Sequence, residues 1–277
     1  MDDPPRQRSL AVTDGLDATL VFVRHGESTA IAERRFQGHL PVPLSPVGER
    51  QADLVAARVA RPHDRPSLPV PNGPPSLIVH SPLKRTTQTA EAIARSMAES
   101  DAFAIDVPLL PDDGLVELAQ GDWEGRLASE VEERWADVLS TWRRSPLEAW
   151  APGGESVVDA QRRVRPMLDR LLATLADGRE LGAVDRPQVL GMSRRDLDQP
   201  WAIVVGHDGV FKVALLTLLG MPLERFWTLP FALCGITVVE LVGGRARLRA
   251  HNLTEHLAPL EERALEVTEE RERAGAL

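Results

Sequence analysis

The stretch LVFVRHGES, residues 20–28, ends an apolar run directly against Arg24, His25 and Gly26. With the residues before it, the run ATLVFV (18–23) is β-branched and aromatic at its centre. This pattern predicts a strand buried on both faces, as in a parallel sheet. Two side chains that can carry positive charge at the end of such a strand indicate a place where an anion is held.

Strands and helices alternate along the rest of the chain. The predicted elements are a helix at 44–60, a strand at 76–80, a helix at 81–99, a strand at 201–207, a helix at 208–220 and an edge hairpin formed by 235–241 and 245–250. A Ser-Pro pair opens each of the first two helices, which suits a capped N-terminus with proline in the first turn. The alternation predicts an α/β fold: a three-layer α/β/α sandwich with a mostly parallel central sheet and helices on both faces.

Polar residues follow three of the predicted strands. Arg24 and His25 follow the first, residues 81–85 follow the second, and His207 ends a third. In open α/β sheets, ligands bind beyond the carboxyl ends of the strands. We therefore expect these clusters to meet at one edge of the sheet.

The expected layout is a flexible N-terminal tail (1–17), one domain (18–256) and a charged C-terminal tail (257–277). Two segments, near 61–76 and 177–200, look like insertions, because the first is Pro-rich and the second is polar without clear periodicity. Both lead into the N-terminal end of a strand, so we expect them to lie away from the chemistry. An oligomer contact or a solvated loop would explain them, and we expect the loop. A homo-oligomer is left open.

Composition narrows the function classes. Apolar residues make up 43% of the 277 residues and charged residues 26%, with a net charge of −9. This balance argues against broad nucleic-acid binding, and an anion site must be a local cationic pocket. The single cysteine, Cys234, excludes an internal disulfide, and we expect it to be a buried core thiol.

The polar N-terminus has no apolar core of a secretory signal. No apolar run approaches the roughly 20 residues of a membrane helix. We expect a cytoplasmic protein without a membrane partner.

The chemistry suggested by these residues is phosphoryl transfer. A neutral imidazole such as that of His25 is a competent nucleophile toward phosphorus. Gly26 lets the backbone approach a ligand closely, and its N–H could bind an anion. Arg85 lies near a helix N-terminus, where its guanidinium fork suits phosphate oxygens. Like His25, His207 follows a buried strand, and it could stabilise charge on the phosphoryl group during transfer. Taken singly, each residue would more often be a capping histidine, a core histidine or a surface arginine.

A carboxylic acid is needed to protonate the leaving oxygen of a phosphate ester. The candidates are Glu117, Asp122 and Glu124 in GLVELAQGDWEG. Apolar neighbours predict partial burial for Glu117, whereas the other two lie in a Gly-rich turn and are expected to be solvated or to structure the loop.

The motifs LVFVRHGES, RFQGHLPVPLSPVGERQA, SPLKRTTQTA, VELAQGDWEG, PGGES and VVGHDG occur in this order. Together they resemble the histidine phosphatase superfamily, which contains the cofactor-dependent phosphoglycerate mutases and many phosphatases. The resemblance covers about residues 18–256, apart from the two insertions.

The resemblance implies a role for each matching residue. His25 would become phosphohistidine, Glu117 would be the proton donor, and Arg24, Arg85 and His207 would line the phosphate pocket. Substrate contacts are expected from the remaining members of the site: Gln37, Gly38, Ser28 and Gly26. The family needs no metal for this chemistry, and the sequence has no His–Glu–x–x–His or paired-Cys spacing. We expect no cofactor.

The chain also departs from the family pattern. Ile31 stands where the family often has an Asn that contacts phosphate, Thr86 replaces a usual Ala, and Val116 replaces a frequent Arg. The first and third changes could alter substrate preference, but none removes a core catalytic group.

The expected function is hydrolysis of a small phosphate monoester, a phosphorylated metabolite, through a phosphohistidine. A mutase and a non-catalytic phosphate-binding regulatory module remain alternatives, and the absence of the LNERMYG-type pattern of mutases favours hydrolysis. Four tryptophans between 123 and 150 could stack on a substrate, although helix packing explains most of them better. Arg143 and Arg144 could attract an anionic substrate tail, and Glu155 of PGGES could have a secondary role.

Overall fold

The computed structural model describes residues 15–181 and 199–260. Within these ranges, six strands form one sheet in the order β3-β2-β4-β1-β5-β6. The strands are β1 (Ala18–Arg24), β2 (Leu77–His80), β3 (Leu109–Pro111), β4 (Trp201–Gly206), β5 (Ile236–Val242) and β6 (Arg245–Leu253). The first four strands pair in parallel, and β5 and β6 add an antiparallel edge. The predicted mostly parallel α/β sheet is confirmed.

Helices cover both faces of the sheet. The α-helices are α1 (Thr29–Ala32), α2 (Pro46–Ala60), α3 (Lys84–Glu99), α4 (Ala128–Arg134), α5 (Ala136–Arg144), α6 (Val157–Leu181) and α7 (Asp208–Leu218). Short 3-10 helices span Asp113–Leu115, Gly121–Trp123, Leu223–Thr228 and Glu255–Leu257. None of the described helices is long and apolar enough to cross a membrane.

The central strand β1 explains the layering. Leu20 and Phe22 point into the core formed with α6 and α7, whereas Val21 and Val23 point into the core formed with α2 and α3. All four side chains are fully buried. Successive side chains of a strand alternate between the two faces of the sheet. A continuous apolar run is therefore buried only when helices pack against both faces.

Helix starts follow the sequence signals only in part. Ser45 caps α2 as predicted, and its hydroxyl accepts from the backbone N–H of Gly48. The next helix was predicted to open at Ser81, but it begins at Lys84. The reason is that the N–H of Ser81 still bonds to Val205 of β4, which keeps this residue in the sheet.

The predicted edge hairpin is present and longer than expected. Strands β5 and β6 pair antiparallel around Gly243 and Gly244, which both have positive φ. Cys234, just before β5, is free and buried, and burial raises the pKa of its thiol. This confirms the expected core thiol.

The insertions and tails are better packed than predicted where they are described. Leu68 in the first insertion is buried, and the indole N–H of Trp201 donates to the carbonyl of Gly73, so this segment is more than a solvated loop. Leu16 and Leu257, which were assigned to the two tails, are also buried. The predictions for residues 1–14, 182–198 and 261–277 lie outside the described residues.

Candidate active site

The polar clusters meet because β1, β2 and β4 end at the same edge of the sheet. Arg24 lies opposite Gly206 in the parallel pairing of β1 with β4, and the N–H of His25 donates to the carbonyl of Gly206. This register sets His25 beside His207, with ring centroids 5.0 Å apart and an angle of 64° between the rings.

His25 has the geometry of a nucleophile. Its buried ring donates from Nδ1 to the carbonyl of Gly26 at 2.6 Å. This bond fixes the tautomer in which Nε2 carries the lone pair. Burial, followed by the positive charges of Arg85 and Arg24, holds the pKa of His25 well below its usual value. The ring is therefore neutral at pH 7, which is the nucleophilic form.

Arg85 is fully buried and is held in place by a loop. Its Nη1 donates to the carbonyl of Leu40 at 3.0 Å, and its Nη2 donates to that of Gly38 at 2.8 Å. Burial lowers its pKa to about 10, so it remains charged at neutral pH. Its Nε finds no hydrogen-bond partner within residues 15–181 and 199–260.

Two more buried nitrogens close to His25 share this condition. The guanidinium of Arg24 donates from Nη1 to the carbonyl of Phe231, but its Nε is without a partner in the described part of the chain. The same holds for Nδ1 of His207, whose Nε2 lies 2.9 Å from the hydroxyl of Ser81. Burial, followed by the positive charges of Arg85, Arg24 and Arg163, lowers the pKa of His207 well below its usual value. Buried polar groups without partners are costly, and an anion offers acceptors to buried donors of this kind.

Glu117 lies against the N-terminus of α7, next to His207. Its Oε1 accepts from the N–H groups of Leu118 at 2.9 Å and Val210 at 3.0 Å, and its Oε2 accepts from that of Gly209 at 3.1 Å. The residue is partly buried, as predicted. These bonds bring a carboxyl group to the N-terminal end of the helix that His207 caps.

The other two candidate acids have different surroundings. Asp122 is exposed. Glu124 accepts from the N–H groups of Gln120 at 2.9 Å and His39 at 3.1 Å. It therefore ties two loops together, which agrees with the expected loop-structuring role.

Among the predicted substrate contacts, Ser28 and Gly38 bind other residues of the site, and Gln37 is one of these partners. Gln37 is partly buried, and its Oε1 accepts from the hydroxyl of Ser28 at 2.7 Å. Ser28 is buried and caps α1 through the N–H of Ile31. Ser28 thus orients Gln37, while Gly38 presents its carbonyl to Arg85.

Gly26 differs from the prediction. Its N–H points to the hydroxyl of Thr89 at 3.4 Å and is not free for an anion. A Cβ at this position would lie 2.4 Å from the carbonyl oxygen of Gly48. The glycine is required for contact between two backbones, and the sequence could not reveal its partner in α2.

Sequence reasoning missed two residues that contact the site. Ser81 was quoted within its cluster but received no role, although it contacts His207. Arg163 received no attention, because it lies within α6 and its partners at Gly114, Val116 and Glu117 are distant in sequence.

The tryptophans mostly pack, as expected. Trp123 is buried, with Phe36 and Trp142 edge-on at centroid distances of 5.3 and 6.0 Å. Trp150 is exposed. Arg143 forms an exposed ion pair with Glu132. Among the described residues, no three His, Cys, Asp or Glu side chains are grouped to hold a metal ion.

Comparison with known proteins identifies the family. The model of the histidine phosphatase superfamily (branch 1) matches residues 20–184 and 187–254. Phosphoserine phosphatase 1 of Hydrogenobacter thermophilus is 28% identical over 86% of this chain and 93% of its own. Glucosyl-3-phosphoglycerate phosphatase of Mycolicibacterium vanbaalenii is 31% identical over 81% of this chain and 84% of its own.

A solved structure of a mycobacterial glucosyl-3-phosphoglycerate phosphatase in complex with VO3 superposes with a TM-score of 0.64 at 25% identity, covering 86% of this chain and all (100%) of that chain. A structure described as mycobacterial hydrolase 1 gives 0.68 at 26% identity, covering 86% of this chain and 99% of that chain. Because the family model matches most of its length, this chain belongs to the histidine phosphatase superfamily, branch 1.

Proposed function

We propose that this chain is a metal-independent phosphatase that hydrolyses a small phosphate monoester through a phosphohistidine on His25. One observation carries the proposal. The Nε atoms of Arg24 and Arg85 and Nδ1 of His207 are buried and have no partner in the described structure, and these residues surround the neutral ring of His25. A phosphoryl dianion would pair with these groups and lie in front of the nucleophile.

In the first step, Nε2 of His25 forms a bond to phosphorus as the bond to the leaving oxygen breaks. Glu117, in its protonated form, gives its proton to that oxygen. The arginines balance the charge of the phosphoryl oxygens, and the rate comes mostly from positioning and electrostatics. General acid catalysis of this kind typically contributes about 10²–10⁴-fold.

In the second step, Glu117 is a carboxylate and takes a proton from water. The water oxygen bonds to phosphorus, the bond to Nε2 of His25 breaks, and inorganic phosphate leaves. The proton on Glu117 is then ready for the next cycle. Product phosphate would leave the same cationic pocket that the substrate entered.

The substrate class follows from the relatives. Two of them are named for the hydrolysis of phosphoserine and of glucosyl-3-phosphoglycerate, both small phosphorylated metabolites. Neither name describes a mutase, so hydrolysis is favoured over phosphoryl transfer between metabolites. Cytoplasmic location and the division into one domain with two tails stay proposals from the sequence.

The test is an assay of p-nitrophenyl phosphate hydrolysis by the purified chain, with and without EDTA. We expect turnover that EDTA does not reduce. Loss of turnover in EDTA, restored by a divalent cation, would overturn metal independence, and absence of turnover would favour the regulatory module. A second assay with 3-phosphoglycerate as acceptor separates the mutase, which would move phosphate to it, from the hydrolase, which releases phosphate to water.

A further inference from the structure

Arg163 of α6 is not among the residues that surround the phosphate pocket, yet it uses every N–H of its guanidinium. Its Nη1 donates to the carbonyls of Gly114 at 3.0 Å and Val116 at 2.6 Å, and its Nη2 donates to that of Glu117 at 3.1 Å. We call residues 114–117 the donor turn, because the turn carries the proposed proton donor. One side chain thus binds three carbonyls of four consecutive residues.

The remaining bonds of Arg163 go to Glu155, in the PGGES motif. Nε donates to Oε1 at 2.8 Å, and Nη2 donates to Oε2 at 2.7 Å, which is the two-pronged geometry that orients a guanidinium most firmly. The side chains are only 24% and 16% exposed, so water competes weakly for these bonds. The N–H of Glu155 in turn donates to the carbonyl of Ala119, just beyond the donor turn.

The donor turn also packs closely on α6. A Cβ at Gly114 would lie 2.5 Å from Cβ of Met167, so the turn cannot move toward the helix. Glu117 is therefore held at both ends. Its backbone is held by Arg163 and by Nε2 of His39, which donates to the Glu117 carbonyl at 2.7 Å. Its carboxylate is held by the first turn of α7.

We propose that Arg163, oriented by Glu155, is a positioning residue that sets where the carboxyl group of Glu117 meets the leaving oxygen. The proposal rests on the proposed function, because it assumes that Glu117 protonates the leaving group. Displacing a reacting group by about 1 Å can cost about 10²-fold in rate. A fork that fixes three carbonyls of one turn controls displacements of this size.

A purely structural ion pair makes a different prediction from a positioning pair. Loss of a structural pair lowers the fraction of folded protein and reduces turnover of every substrate equally. Misplacing the proton donor instead penalises substrates whose leaving group needs the proton, such as alkyl phosphates, and spares those whose leaving group departs as a stable anion, such as p-nitrophenyl phosphate. The ratio of the two losses is therefore the diagnostic quantity.

The experiment compares Arg163→Lys with the parent chain on p-nitrophenyl phosphate and on an alkyl phosphate that the parent hydrolyses. Lysine keeps the charge but cannot bind Glu155 and three carbonyls at once. We expect kcat/KM to fall about ten-fold more on the alkyl phosphate than on the aryl phosphate, since positioning is a large part of general acid catalysis. Equal losses on the two substrates would overturn the proposal.

The matched control is Arg170→Lys, on the same helix. Arg170 donates from Nη2 alone to both carboxylate oxygens of Asp112, at 2.8 and 2.7 Å. It has no direct hydrogen bond to the donor turn, although Asp112 accepts from the N–H of Gly114 at 2.8 Å. We expect no difference between its losses on the two substrates. A leaving-group effect as large as that of Arg163→Lys would show that any weakened contact of α6 has this result, and the specific role would be refuted.

Two further variants keep the test decisive. If Arg163→Lys does not fold, as judged by thermal unfolding, Glu155→Gln removes the charge of the orienting partner and leaves the arginine in place, and the same ratio is measured. Glu117→Gln tests the proposed function separately from the positioning role. Its kcat/KM should fall about 10²-fold or more on the alkyl phosphate and far less on the aryl phosphate. If the two losses are equal, Glu117 is not the proton donor and the proposed function is contradicted. If Glu117→Gln shows the preference but the Arg163 and Glu155 variants do not, only the positioning role fails.

Discussion

The rings of His25 and His207 lie edge to face, 5.0 Å apart, in a buried pocket that also holds two arginines. Burial and the positive charges of Arg85 and Arg24 lower the pKa of both rings well below 6.5. Both histidines are thus neutral in the folded protein at pH values where they are already protonated in the unfolded chain.

The free energy of unfolding should therefore fall as the pH drops below about 6.5. In this range the unfolded chain binds more protons than the folded one, so stability rises with pH and is lost on acidification. Each histidine contributes a slope of at most about 1.4 kcal/mol per pH unit. Urea unfolding between pH 5 and 7.5, in a phosphate-free buffer, measures the slope. His207→Gln should reduce it, and an unchanged slope would contradict the argument, because the other histidines would then account for all of it.

His25→Ala should abolish turnover, by about 10³-fold or more, because no other group replaces a covalent nucleophile. Acid-sensitive labelling of the protein by a ³²P-labelled substrate should disappear in this variant. The folded state should remain, which circular dichroism checks. Full turnover or persistent labelling in the variant would refute the phosphohistidine.

Arg85→Lys should weaken binding of inorganic phosphate and lower kcat/KM by about 10²-fold, at 1.5–3 kcal/mol for each charge-assisted hydrogen bond lost. A lysine cannot donate to the carbonyls of Gly38 and Leu40 and also to an anion in the arginine geometry. Competitive inhibition by phosphate gives the affinity. Lys84→Ala is the neighbouring control, since Lys84 is exposed, and it should leave both quantities nearly unchanged.

Gly26→Ala should destabilise the fold by roughly 1–3 kcal/mol, the usual cost of overpacking. The new Cβ would lie 2.4 Å from the carbonyl oxygen of Gly48, and a backbone atom cannot move aside as a side chain tip can. Gly220→Ala is a useful comparison, because nothing lies within 4 Å of the added Cβ and only the positive φ of 63° is strained. Thermal and urea unfolding compare the two. A Gly26→Ala protein as stable as the parent would mean that α2 shifts easily and that its contact with Gly26 is not rigid.

Local sequence patterns were sufficient to predict the layered α/β architecture. Continuous apolar runs such as residues 18–23 indicate strands with cover on both faces, and helical spacing between them indicates the layers. The cationic residues at the strand ends predicted that these charges meet at one edge of the sheet, because parallel strands place their carboxyl ends together. Errors arose where a tertiary bond overrode a local signal, as at Ser81, whose pairing with β4 delays the start of α3.

The sequence by itself determined the layered α/β sheet, the edge at which its charges gather and the candidate roles of His25, Arg85 and Glu117, because these follow from periodicity and from side-chain chemistry. Only the tertiary structure decided which groups remain unpaired, that Gly26 serves packing against Gly48, and that Arg163 and Glu155 hold the donor turn. The physical reason is that hydrogen bonds and backbone contacts join residues far apart in the chain, and one sequence contains no record of which distant donor meets which carbonyl.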